Sequence, residues 1–89
     1  MKSHTTKRFR KAFQQLPSKI QRKARKAYTA WKKDSWNPRL HFKRVHSDRP
    51  VYSIRIDRGW RAVGIQERDA VIWFWIGSHA DYDKLISQM

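Results

Sequence analysis

Apolar side chains at the start of the chain recur at helical spacing. Phe9, Ala12, Phe13 and Leu16 fall at i, i+3, i+4 and i+7, which predicts a short amphipathic helix. Leu16-Pro17-Ser18 breaks it. Ser18 and Gln21 have capping-box spacing, so a second helix is expected to start at Ser18. Its apolar face is Ile20, Ala24, Ala27, Tyr28 and Trp31. Its other face carries Lys19, Arg22, Lys23, Arg25, Lys26, Lys32 and Lys33 with no acid among them. Residues 6 to 33 therefore read as a helical hairpin with a cationic outer surface.

Asp34-Ser35-Trp36-Asn37-Pro38 has loop chemistry, because Pro38 pushes Asn37 out of the helical region. Beyond it the period drops to 2. His41 to Val45 reads as a short strand with His41, Lys43 and Val45 on one face and Phe42, Arg44 and His46 on the other. Val51 to Asp57 alternates, with Tyr52, Ile54 and Ile56 opposed to Ser53, Arg55 and Asp57. Asp57-Arg58-Gly59 is a tight turn in which Gly59 can take positive φ. Trp60 to Gln66 is the return strand, and Glu67-Arg68-Asp69 the next turn. Ala70 to Ile76 is apolar throughout, as expected of a strand covered on both faces, so Trp73 to Ile76 should fill the core. Ser78, with Asp81 three residues on, caps a last short helix docked by Leu85 and Ile86. Residues 1 to 5 could add an edge strand, but their pattern does not decide it. The expected fold is α+β: a small antiparallel meander sheet, an N-terminal helical hairpin packed on one face, and a short C-terminal helix. The second sheet face should be open.

Eighty-nine residues make a single domain, 1–89, whose stability margin is thin unless its 12 aromatic residues are well buried. The absence of Cys excludes disulfides and thiolate metal sites. The longest apolar run, 70 to 76, is far short of the roughly 20 residues that cross a bilayer. No apolar segment comes after the N-terminal charges, so no signal peptide is read, and a cytoplasmic protein without membrane contact is expected. Net charge changes this picture most. Residues 1 to 44 hold 15 Lys and Arg against one acid, whereas residues 45 to 89 hold six of each sign. A one-sided excess of this size favours a polyanionic partner, either nucleic acid or a strongly acidic protein.

These placements nominate the candidate chemistry. Lys19, Arg22, Lys23 and Lys26 could dock on phosphates, as could Lys43, Arg44 and His41 if they were not simply charges defending an edge strand. Arg55 and Arg61 flank a turn on central strands, where a desolvated cation needs an anion: Asp57 or a bound phosphate. The histidines lack any recognised metal-ligand spacing, so neither a metal nor another cofactor is expected. Ser78, His79 and Asp81 cannot form a triad, because neighbouring side chains do not point at one another. His79 is left as an acid or base at a strand-to-helix junction, with Tyr82 one turn on.

The order Phe13-x-x-Leu16-Pro17-x-x-Ile20-Gln21-x-Lys23-Ala24, Leu40-x-Phe42-Lys43, Val51-Tyr52-Ser53-Ile54-Arg55-Ile56, Gly59-Trp60-Arg61-Ala62-Val63-Gly64 and Trp73 to Tyr82 resembles the RelE/ParE superfamily of type II toxin–antitoxin toxins. The resemblance covers nearly the whole chain, and it rests on order and turn lengths rather than on any one motif. It implies one of two activities: cleavage of mRNA, mostly on the ribosome, or poisoning of DNA gyrase by binding. It places Arg55 and Arg61 where family cations line a cleft, and His79 where YafQ-type members have a catalytic His in a similar Gly-x-His-Ala run. Tyr82 is matched to a C-terminal aromatic of variable register, expected to stack on or orient a base. Ser53 stands where RelE has Lys, which favours a His-dependent mechanism. The expectation is therefore a metal-independent endoribonuclease acting on mRNA at the ribosome, with His79, Arg61 and Tyr82 as the catalytic set. An acidic antitoxin should cover the cleft. Gyrase inhibition is the alternative.

Overall fold

The computed structural model describes all 89 residues. Its elements are β1 (Lys2–Thr5), α1 (Lys7–Gln14), α2 (Ser18–Lys33), a 3₁₀ turn (Pro38–Leu40), β2 (Lys43–Arg44), β3 (Val51–Asp57), β4 (Trp60–Glu67), β5 (Ala70–Ser78) and α3 (His79–Gln88). The five strands form one sheet in the order β1-β5-β4-β3-β2. β2 to β5 make the expected antiparallel meander. β1 pairs in parallel with the free edge of β5, so the sheet is mixed.

The helical hairpin covers one face. Ala24, Ala27 and Trp31 of α2 pack on Ile54, Ala62, Trp73 and Ile76, with Phe9, Ala12 and Phe13 of α1 at the margin. The expected cap differs. Pro17 is the N-cap residue of α2 and Ser18 is its first helical residue, with no side-chain cap. Gln21 turns backward instead, its Nε2 donating to the carbonyls of Gln14 and Leu16 at 3.2 and 3.0 Å. Those carbonyls lie at and beyond the end of α1, where helical partners run out, so Gln21 ties the two helices together.

The second sheet face is not open along its length. α3 lies across it, and Tyr82 joins Val51 and Val63 in a second small core. Ser78 caps α3 as expected, accepting from the Asp81 N–H at 3.2 Å. The strand expected over His41 to Val45 is reduced to Lys43–Arg44. His41 has φ 47°, in the left-handed region, and ends the 3₁₀ turn. Its side chain therefore does not share a strand face with Lys43.

Two register shifts reset the alternation. One lies between Arg55 and Asp57 opposite Arg61 and Trp60, the other between Val63 and Gly64 opposite Trp75 and Trp73. Each leaves one residue without a partner and moves the rest of its strand to the other face. Asp57 can therefore reach α2, and Trp75 leaves the hairpin face that holds Trp73. Gly64 sits at the second shift, where an added Cβ would lie 2.7 Å from Val71 Cγ1 and 2.9 Å from the Trp73 ring. At the Asp57-Arg58-Gly59 turn no glycine uses positive φ, and a Cβ on Gly59 would meet nothing within 4 Å. Gly64→Ala should thus destabilise by about 1–3 kcal/mol through overpacking. Gly59→Ala should be neutral or stabilise by up to about 1 kcal/mol by restricting the unfolded chain. Urea unfolding of the two variants checks both signs.

Candidate functional site

The site forms where the β3–β4 turn meets the start of α3. The His79 N–H donates to the Gly59 carbonyl at 2.7 Å, fastening the helix N-terminus to the turn. Arg61 lies directly opposite Arg55 on β3 and opposite Gly77 on β5. Like charges facing each other across a strand pair are unfavourable. Neither arginine has a carboxylate within ion-pair distance. Arg61 is held by backbone: its Nη1 donates to the carbonyls of Asp57 (2.7 Å), Trp60 (2.9 Å) and Arg58 (3.3 Å). A guanidinium has five N–H donors, and Nε and Nη2 of Arg61 remain free for an anion. Burial first, and then the facing Arg55, push the Arg61 guanidinium below its ordinary pKa. The nearby Asp83 and Asp57 carboxylates offset this only in part.

Asp57 does not supply the missing anion. Its Oδ2 accepts from Lys23 Nζ at 2.9 Å and its Oδ1 from the Arg58 N–H at 2.6 Å, and these bonds, the Lys23 bond foremost, hold its carboxyl below the usual carboxylate range. Lys23 is accordingly engaged in an internal ion pair, whereas Lys19, Arg22 and Lys26 stand on the outer face of α2. Arg44 is also taken. Its Nε donates to the carbonyls of His46 and Arg49 at 3.0 and 3.2 Å, folding the 46–49 loop, so much of its guanidinium is committed to that loop although the side chain stays exposed. Lys43, paired with Ser53, shares the face of Ser53 and Arg55 and has no side-chain partner. His41 is exposed and lines a cleft with Arg55 at the outer edge of β3.

His79 Nδ1 lies 3.1 Å from Asp83 Oδ2, one turn along α3. Both side chains are well exposed, so the pair adds little stability. Its effect is on the tautomer. A carboxylate at Nδ1 keeps the proton there and leaves Nε2 to accept a proton, or to donate one when the ring is charged. Tyr82 is a correction. Its ring is 9% exposed and its hydroxyl donates to buried Ser53 at 3.2 Å. A ring so covered supports His79, 5.8 Å away between centroids, and cannot be a stacking surface. The aromatic that sequence reasoning missed is Trp75. Its indole lies over Gly77, where an added Cβ would be 2.9 Å from the ring, and it is only partly buried. A run that is apolar on both faces does not show which ring stays partly exposed, and the register shift at Phe74 is what turns Trp75 away from Trp73.

The family model for the ParE-like toxin domain matches residues 18–84, which include α2, the whole meander and the His79–Asp83 turn of α3. The chain belongs to the ParE-like toxin domain family. It is thereby a toxin of the RelE/ParE superfamily of type II toxin–antitoxin systems. Solved structures agree at the level of fold. The toxin of the RelB–RelE antitoxin–toxin complex from Methanococcus jannaschii superposes with a TM-score of 0.74 at 17% identity, over 92% of this chain and 96% of that one. YafQ from E. coli strain BL21(DE3) gives 0.72 at 9% identity, over 90% and 94%. The YoeB/ParE toxin from Agrobacterium tumefaciens gives 0.68 at 15%, over 89% and 99%. No curated protein sequence matches.

In this ParE-like domain the buried Tyr82–Ser53 bond gives a direct check on the support role. Tyr82→Phe strands the Ser53 hydroxyl and should cost about 1–3 kcal/mol in urea unfolding. Adding Ser53→Ala should recover part of that loss. Asp57 sets an acid limit. Its carboxyl is depressed in the folded state, so the stability it adds is full above the ordinary Asp pKa of about 3.9 and is lost as pH falls through the lower folded value. Asp57→Asn should flatten the fall in unfolding midpoint below about pH 4 relative to wild type.

Proposed function

We propose that this toxin is an endoribonuclease that cleaves mRNA, with the ribosome as its setting. The observation that carries the proposal is the pair of facing, carboxylate-free arginines beside a tautomer-fixed histidine. Cleavage by the neighbouring 2′-OH needs a base for that hydroxyl, positive charge on the scissile phosphate, and an acid for the 5′-oxygen leaving group. Arg61, steadied by three carbonyls, and Arg55 supply the charge, with Lys43 on the same face. His79 Nε2 moves a proton. Trp75 offers the partly exposed ring face against which a base can stack. Gyrase inhibition by binding is the alternative, and it would need no proton-transfer group at His79.

The same charge favours an acidic antitoxin segment lying across the cleft. Solved relatives in complex with their partners, RelB–RelE and DinJ–YafQ, give that reading its precedent.

Primer extension on a translated reporter mRNA tests the nuclease. Wild type should create new 5′ ends. His79→Ala should lower their yield by roughly 10²–10⁴-fold, the usual weight of one acid–base group. Arg61→Ala should lower it comparably, while circular dichroism stays native for both. Equal cleavage by wild type and His79→Ala would remove His79 from the mechanism. No cleavage by wild type, with gyrase-dependent DNA breaks in its place, would overturn the nuclease reading.

A further inference from the structure

Beyond Lys43–Arg44, β3 has no strand along its outer edge. A cleft of about 490 Å³ opens there instead, lined by Pro38, Arg39 and His41 on one side and Arg55, Ile56 and Asp57 on the other. Three of its six lining residues are basic types. Arg39 and His41 are exposed and make no side-chain hydrogen bond, and Arg55 is half-buried and likewise unpartnered. The single carboxylate, Asp57, is already held by Lys23 and the Arg58 N–H, so it does not neutralise the wall facing it.

The loop across the cleft is built rather than loose. Asn37 Oδ1 accepts from the Arg39 N–H at 3.0 Å, and the His41 N–H closes on the Pro38 carbonyl at 3.3 Å. His41 is held at φ 47°, an unfavourable conformation for a non-glycine residue. Glycine would fold this turn with less strain, so local backbone stability does not account for an imidazole here.

Position links the cleft to the reaction centre. Gly77, Arg61 and Arg55 stand in register on β5, β4 and β3, and the cleft takes the place of the next strand. At about 4.8 Å per strand, the row runs laterally from the scissile-phosphate arginines to Arg39 and His41. We propose that this cleft is a second nucleotide subsite, which binds the phosphate of the nucleotide flanking the cleavage position through Arg39 and His41, with Arg55 shared between the two. The inference rests on the nuclease reading, and it adds a substrate footprint longer than one phosphodiester.

The test uses the full chain and two non-cleavable 2′-O-methyl RNA probes, a dinucleotide and a hexanucleotide, with binding read from fluorescence anisotropy over a salt series. The variants are Arg39→Ala and His41→Gly. The second relieves the positive φ, so its fold should be at least as stable as wild type. Each variant should weaken hexanucleotide binding several-fold and leave the dinucleotide unchanged. For Arg39→Ala the slope of log affinity against log salt should fall by about 0.7, the value for one phosphate contact on a single strand. Primer-extension cleavage should show a raised KM with kcat retained. Unchanged hexanucleotide affinity in both variants, with wild-type cleavage intact, would overturn the subsite alone. So would equal weakening of both probes. Failure of wild type to bind the hexanucleotide while it still cleaves the translated reporter would also overturn the subsite alone, and absence of that cleavage as well would overturn the nuclease reading beneath it.

Discussion

Trp31 has no exposed surface, and the rest of the molecule is arranged around it. Its ring meets Trp73 of β5 at 5.3 Å and Phe42 of the loop before β2 at 5.8 Å, both edge-on. Phe42 in turn stacks on Tyr52 of β3 at 4.9 Å. One side chain of α2 thus fixes the helix, the central strands and the 38–42 loop relative to one another. A chain of 89 residues has little other core to do this. The cluster carries a cost: the indole N–H groups of Trp31 and Trp73 are buried without an acceptor. Each such orphan forfeits about 1–3 kcal/mol, and the aromatic burial must outweigh it. Both walls of the cleft beside Arg55 are attached to this cluster, through Phe42 on one side and Tyr52 on the other, so the packing that stabilises the fold also sets the cleft's width.

At the candidate site beside it the electrostatics are unfinished. The other buried or half-buried polar groups on this end of the sheet are satisfied internally: Asp57 by Lys23, Tyr82 by Ser53, the Gly59 carbonyl by His79. Arg55 and Arg61 alone are left facing one another. The three carbonyls on Arg61 fix its direction without cancelling its charge. Donors fixed before an anion arrives need little reorganisation when it does, which is how preorganised sites lower barriers.

Much of this was legible in the sequence. Helix α2 and strands β3 to β5 arise from clear periodicities and short turns, and the Ser78 cap from residue type and spacing alone. His79, Arg61 and Arg55 were nominated because few other residues combine titratable chemistry with strand-end positions, and the fold gathers them at one end of the sheet. The misses have physical causes. β1 is four residues with little apolar pattern, and it exists because β5 offers a free edge. Parity arguments assume an unbroken pleat, so the register shift between Arg55 and Asp57 misplaced Asp57. His41 was put on a strand because nothing in residue type announces a left-handed backbone at a histidine. Arg44 and Lys23 look like free cations in a sequence, and only the folded loops show the carbonyls and carboxylate that occupy them. Tyr82 was assigned by position, but whether a ring one turn past a cap points to solvent or to the sheet depends on what lies opposite, here Val63 and Ser53.

The charge distribution separates recruitment from chemistry. The excess sits in residues 1 to 44, much of it on the outer face of α2, while His79 and Arg61 lie on the other face of the sheet in the balanced half. The molecule measures 33 × 31 × 26 Å, and at physiological ionic strength a surface charge is screened over about 8 Å. Cations on the outer face of α2 that lie beyond that distance would add little to the field at Arg61, whereas Lys23 reaches the same turn through Asp57, whose carbonyl accepts from Arg61. On the proposed nuclease reading, the outer-face cations would act on a polyanion large enough to touch both faces, or on the approach of one. A short oligonucleotide at the cleft should be nearly indifferent to them, whereas a folded RNA surface the size of the toxin itself should not. On the proposed nuclease reading, the outer face of α2 would serve as an anchor to a large anionic body, while Arg39, His41 and Lys43 of the same half belong to the cleft. That division suits a nuclease whose substrate is presented by something much bigger than itself.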